Sequence, residues 1–223
     1  MEESVQPTRG SRFLAEFFNA YGVTHVFFIP AILMEALAEL EGMPIRRVVV
    51  HGEKAAAYMA DGYARASRRP GVCMAQHIGG SNLAAGLRDP FLACSPVIAI
   101  TGGGTPLARY RHAYQEMEDI TQFDCTTKFN ARIDDIRRLP DMMRQAFREA
   151  TTGSPGPVHL QMQGHFAQVT ENEAELDIRF EPRFGHGSAL PAGRGRNPCP
   201  AGACAARARA AADYRRRWRH RLV

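Results

Sequence analysis

Five short apolar runs recur near residues 26–29, 45–50, 72–76, 96–101 and 157–162, each stopped by proline, glycine or a polar turn, with a more polar sixth candidate near 126–130. Between them the apolar residues change to helical spacing, as with Phe13, Leu14, Phe17 and Phe18, and again over residues 32–40, 53–67, 83–93 and 139–151. Strands that alternate with helices are joined by crossovers and lie parallel. Runs such as Val48-Val49-Val50 are apolar at every position, which buries both faces of a strand and calls for helices on both sides of the sheet. The expected fold is α/β, an open parallel sheet of about six strands flanked by helices, over residues 11–175. Residues 1–10 are expected to be a disordered lead and 176–223 a linker and disordered basic tail, since the pattern fades near Val169.

Ligands of such sheets bind outside the carboxyl ends of the strands. That rule singles out the turns after Val50, Gln76 and Thr101. The first leads through His51-Gly52 into an Ala-rich helix that opens on a lone carboxylate, Glu53. An acid at that junction either favours the helix N-terminus through the macrodipole or meets a ligand. The second turn, His77-Ile78-Gly79-Gly80-Ser81-Asn82, is polar and bears glycine; Gly102-Gly103-Gly104 lacks the spacing of a phosphate loop and reads as a turn. Ser81 lies outside a Gly-x-Ser-x-Gly context and is given no nucleophilic role. The His, Cys and carboxylate residues show no metal-ligand spacing.

The formal net charge of +5 invites nucleic acid as a partner, yet residues 182–223 hold ten Arg and one Asp, which leaves the remainder of the chain at −4. The tail offers only Tyr214 and Trp218 for stacking and contains no recognisable module, so nucleic acid is not the expected partner. Five cysteines without a CxxC pair argue against a disulfide framework. No apolar run approaches the roughly 18 to 20 residues needed to span a bilayer, and Met1-Glu2-Glu3 lacks the basic start of a signal peptide. The expectation is a soluble, cytoplasmic protein with no membrane partner.

The order and spacing of these turns, with other motifs, resemble the N-terminal, pyrimidine-binding domain of thiamine-diphosphate enzymes, above all the acetolactate synthase-like group. The likeness runs over about residues 11–170. It rests on Gly22-Val23-Thr24-His25-Val26-Phe27, on Glu53 followed by Ala60-Asp61-Gly62-Tyr63-Ala64-Arg65, and on Gly79 with Asn82. It continues through Pro96-Val97-Ile98-Ala99-Ile100-Thr101-Gly102, Tyr114-Gln115-Glu116, Lys128, and Gly153-Ser154-Pro155-Gly156-Pro157-Val158.

The resemblance implies that Glu53 hydrogen-bonds the pyrimidine nitrogen of thiamine diphosphate and exchanges a proton with it in a dry pocket, activating the cofactor toward a 2-oxo acid such as pyruvate. Gly79, Asn82 and Tyr114 then stand on the cofactor side. Gln115 and Glu116 match a segment near the reacting end, across a subunit interface; Gln115 is a catalytic candidate, and Glu116 and Lys128 lie toward the substrate. Ordinary surface-loop chemistry accounts for Gln115 and Glu116 as well. Tyr114 stands where the family has Phe. His77 replaces the first glycine of a Gly-Pro-Gly-Ala-Thr-Asn turn and Ile78 its proline, so His77 is either a substrate-facing acid or base or a hydrogen-bonded bystander. Phe28 and Ala31 occupy places where the family has glycines, and His51-Gly52 replaces the common Arg-His.

The resemblance further implies a homodimer or higher oligomer, and Mg²⁺ bound with the diphosphate by a Gly-Asp-Gly…Asn segment in a C-terminal domain, with FAD optional in the full-length enzyme. Neither that segment nor a central domain is found in the 223 residues. The Arg-, Ala-, Pro- and Gly-rich stretch after Arg183 reads like GC-rich DNA in a wrong frame, and codons allowed for residues 213–220, read one base later, can spell a strand and glycine turn. The expectation is a truncated carboligase or decarboxylase, inactive alone; the alternative is a split or non-catalytic subunit completed by a diphosphate-binding partner.

Overall fold

The computed structural model describes residues 7–108, 110–116, 120–178 and 180. Along these run β1 (Thr8–Arg9), α1 (Gly10–Ala20), β2 (His25–Phe28), α2 (Met34–Glu39), β3 (Arg46–Val49), α3 (Glu53–Ser67), β4 (Gly71–Ala75), α4 (Gly79–Gly86) and α5 (Arg88–Ala93). They continue with β5 (Val97–Gly103), β6 (Phe129–Ile133), α6 (Leu139–Thr151), β7 (Val158–Gln163) and β8 (Glu173–Ala174). Six strands make one sheet in the order β3-β2-β4-β5-β7-β6, and every neighbouring pair is parallel. This is the expected architecture, with all its strand C-termini at one edge.

Period-two alternation in the central strands divides the core into two unlike layers. Val72 and Met74 of β4 and Ile98 and Ile100 of β5 face an aromatic layer built from Phe13, Phe17 and Phe147 of α1 and α6. Cys73, Ala75 and Ala99 face the other way, onto Ala56, Ala57 and Ala60 of α3 and Leu83 of α4. The second layer is thin because its residues are small. A Cβ on Gly71 would stand 2.1 Å from the carbonyl oxygen of Ala60, so α3 lies directly on β4. Alanine favours α3 intrinsically, Asp61 pairs with Arg65 one turn on, and Arg68 at φ 59° ends it. The helix that carries Glu53 is thereby fixed against the sheet.

Several boundaries differ from the sequence expectation. β3 is the sheet edge rather than a buried strand: Val49 is 59% exposed, since among the described residues no strand lies beyond it to cover it. β5 runs on through Gly102 and Gly103, which bridges to Gly164, so only Gly104 is left to the turn. The helix expected over 83–93 begins four residues earlier at Gly79 and breaks into two pieces at Leu87. β6 lies three residues later than the expected strand near 126–130. Thr8–Arg9, within the expected lead, pairs antiparallel with Glu173–Ala174. Packing continues past 175, with Leu176 buried and the Phe180 ring against Phe13 and Phe17. The expected basic tail from residue 181 onward lies outside the described residues. Among the described residues no helix is long and apolar enough to cross a membrane.

Candidate active site

Glu53 is the first residue of α3, four positions after β3 reaches the C-terminal edge. α4 starts at the same edge, so the amide ends of two helices converge there, a setting that favours negative charge. The Glu53 Oε2 accepts a hydrogen bond from Asn82 Nδ2 at 3.1 Å. At the other oxygen the chain has Gly79: a Cβ there would lie 2.6 Å from Oε1 and 2.9 Å from Cγ. Glycine thus keeps room for the carboxylate while the amide of Asn82 orients it. The side chain is half-buried rather than sealed in the dry pocket the sequence suggested, and Asn82 is exposed.

A second group forms where the turns after β4 and β7 meet. His77, 2% exposed, has its Nδ1 3.3 Å from His165 Nδ1, and its backbone N–H donates to the His165 carbonyl at 3.2 Å. Tyr114 presents its ring edge-on to His165 at 6.2 Å between centroids. Gln115, at φ 57°, donates from Nε2 to the Tyr114 hydroxyl at 2.9 Å, while its buried Oε1 has no hydrogen-bond partner among the described residues. Such an orphaned acceptor in a left-handed backbone is a costly arrangement and marks a place where a donor is wanted. Glu116 turns back on its own loop, accepting from the amides of Tyr110 and Ala113. Ser81 donates to Gln122 Oε1 at 2.8 Å, tying α4 to the 3-10 turn Ile120–Phe123 that ends this loop.

Glu53, Gly79 and Asn82 are therefore in mutual contact, and His77, Tyr114 and Gln115 gather around His165 on the same edge. Lys128 is not among them. It precedes β6 at the opposite edge of the sheet, where Nζ donates to the carbonyls of Glu149 and Thr152 at the end of α6. His165 was missed by sequence reasoning, although the rule that selected the other three turns applies equally to Gly164-His165 after β7. Among the described residues no group of three or more His, Cys, Asp or Glu is placed to hold a metal ion.

A parallel α/β sheet with an oriented carboxylate and a polar loop at its carboxyl edge defines a ligand-binding domain of the doubly wound kind. Comparison with known proteins narrows this: the family described as thiamine pyrophosphate enzyme, N-terminal TPP binding domain, matches residues 8–123, and the chain belongs to it. It is 35% identical over 176 residues to the probable acetolactate synthase large subunit of Methanocaldococcus jannaschii, covering 78% of this chain and 29% of that protein. Against the chloroplastic acetolactate synthase of Arabidopsis thaliana it is 35% identical, covering 69% of this chain and 23% of the relative. The acetolactate synthase of Bacillus subtilis is 27% identical, with 82% of this chain and 33% of the relative covered. The chain thus spans about a quarter to a third of the length of these relatives.

The residues present fit the family's cofactor. A carboxylate oriented through one oxygen by an amide and seated against a glycine through the other suits a ring nitrogen that shares a proton.

Proposed function

We propose that this chain is the pyrimidine-holding part of an acetolactate synthase-like enzyme that decarboxylates a 2-oxo acid such as pyruvate and transfers the remaining carbon unit to an acceptor. When bound, thiamine diphosphate supplies the electron sink for that chemistry. Glu53 holds and moves the proton at the pyrimidine nitrogen, Asn82 keeps its carboxylate oriented, and Gly79 leaves room for that carboxylate. Gln115 offers its Oε1, unpartnered among the described residues, to a donor on the cofactor or substrate, and Tyr114 shields that side of the site. Lys128 takes no part, being held at the far edge. Mg²⁺, the diphosphate anchor and any FAD site belong to segments beyond this domain, in a longer chain or a partner, and the working unit is a dimer or larger assembly. The observation that carries the reading is the Asn82–Glu53–Gly79 contact at the carboxyl edge of the sheet.

Titration calorimetry with thiamine diphosphate tests it. The 223-residue chain should bind weakly and turn over no pyruvate, and Glu53→Gln should weaken binding by about tenfold or more, the worth of a charge-assisted hydrogen bond. Equal affinity in a folded Glu53→Gln variant removes Glu53 from the cofactor site. Robust acetolactate formation by the chain alone overturns the division of the site.

A further inference from the structure

Strand pairing does not require two imidazoles to meet, yet the turns after β4 and β7 put His77 Nδ1 and His165 Nδ1 3.3 Å apart. Two ring nitrogens at that separation bond only through a proton, so one is the donor and the other the acceptor. A second proton between them is excluded. One added proton therefore goes to an outer nitrogen, and the pair becomes a single cation whose two Nε2 atoms are both N–H donors. His77 is sealed from solvent, whereas His165 is half-buried and opens toward Tyr114. The Tyr114 hydroxyl accepts from Gln115, which leaves its own proton to donate. Ile78 and Phe166, sequence neighbours of the two histidines, are large apolar side chains exposed by 48% and 39%. Among the described residues the ionisable groups on the surrounding elements include Glu53, which holds the Asn82 amide, Glu116, which holds two amides of its own loop, and Tyr114.

A proton-sharing cation and a phenol beside exposed apolar side chains complement a small anion with a short apolar end. We propose that His77 and His165 act as one unit that binds the carboxylate of a small 2-oxo acid, His165 making the contact and His77 positioning it from behind. This rests on the reading of the site as one that works on a 2-oxo acid. It adds the residues that receive the substrate: His77 precedes by two positions the glycine that lies against Glu53, so the substrate end and the cofactor end share one turn.

The test is to follow the ring-nitrogen resonances of the full ¹⁵N-labelled chain near neutral pH while adding millimolar pyruvate, with chloride at equal ionic strength as the control. Pyruvate should shift the rings of both histidines and chloride should not. His165→Phe should abolish the response, and His77→Phe should weaken pyruvate binding by about tenfold. His77→Gln, which keeps a polar group at the buried position, replaces His77→Phe if that variant does not fold, and is expected to weaken binding by several-fold. Silent rings at high pyruvate, or a His165 response unchanged in the His77 variant, overturn the proposal. Thiamine diphosphate titrated into the same samples separates the two readings. Cofactor binding with silent rings overturns the pair alone; responding rings in a chain that ignores thiamine diphosphate leave the pair standing and sink the cofactor reading.

Discussion

Mild acid should destabilise this domain through His159, which lies fully buried in β7. Its ring is stacked 3.5 Å from that of Phe123. Asn130 donates from Nδ2 to the Ile120 carbonyl and to Asp124, so its Oδ1, 2.7 Å from His159 Nδ1, is the acceptor. Nδ1 therefore carries the proton, and Nε2 accepts from Thr101 Oγ1 at 2.8 Å. A charged ring has no place in this setting, and burial pushes the His159 pKa down from 6.5 to about 3. The unfolded chain takes up a proton below about pH 6.5 that the native chain refuses, so this contribution to stability is complete above that pH and is lost as the pH falls toward 3. At about 1.4 kcal/mol per pH unit, the loss between pH 7.5 and 5 is about 2 kcal/mol. Carboxylates titrate in the same range, so the comparison must be with His159→Gln, which has no proton to refuse. Urea unfolding at several pH values should find the variant less stable by about 1–3 kcal/mol at pH 7.5, from the lost stacking and hydrogen bond. That gap should close by about 2 kcal/mol at pH 5. A gap that stays constant with pH refutes the argument that the native imidazole is held neutral.

Gly79→Ala would place a methyl group 2.6 Å from Glu53 Oε1 and drive the carboxylate off Asn82, so stability should fall by about 1–3 kcal/mol and thiamine diphosphate affinity should fall as in Glu53→Gln; calorimetry that finds both unchanged contradicts the contact. Ala31 holds φ 117°, where a side chain is strained, so Ala31→Gly should raise thermal stability by about 1 kcal/mol, measured by scanning calorimetry. Lys128→Met removes donors to two carbonyls at the end of α6 and should cost about 1 kcal/mol in urea unfolding without altering thiamine diphosphate binding.

Ala31 shows what sequence comparison leaves out. It stands where the resembling family has glycine, and the structure keeps the glycine-type backbone with a side chain in it. The departure at His77 is of another kind. A lone histidine in a turn has no partner in its own segment, so sequence reasoning left it between acid, base and bystander. Its partner, His165, lies 88 positions away. Lys128 matched a motif in order and spacing, but motif order does not say at which end of a strand a residue falls. A three-residue shift of β6 sends it to the far edge.

The sequence by itself determined the architecture and its working edge. Apolar runs alternating with helical spacing require a parallel sheet covered on both faces, and such a sheet gathers its ligand turns at the strand carboxyl ends, which located Glu53, Gly79, Asn82 and His77. Only the tertiary structure decided the strand order, which left β3 and Val49 at the edge, and the contacts between separate turns: Asn82 on Glu53, His165 on His77, and His159 between Thr101 and Asn130. The physical reason is range. Periodicity and turn chemistry act over a few residues, whereas side chains from different crossovers meet only when packing of the whole core brings their strand ends side by side.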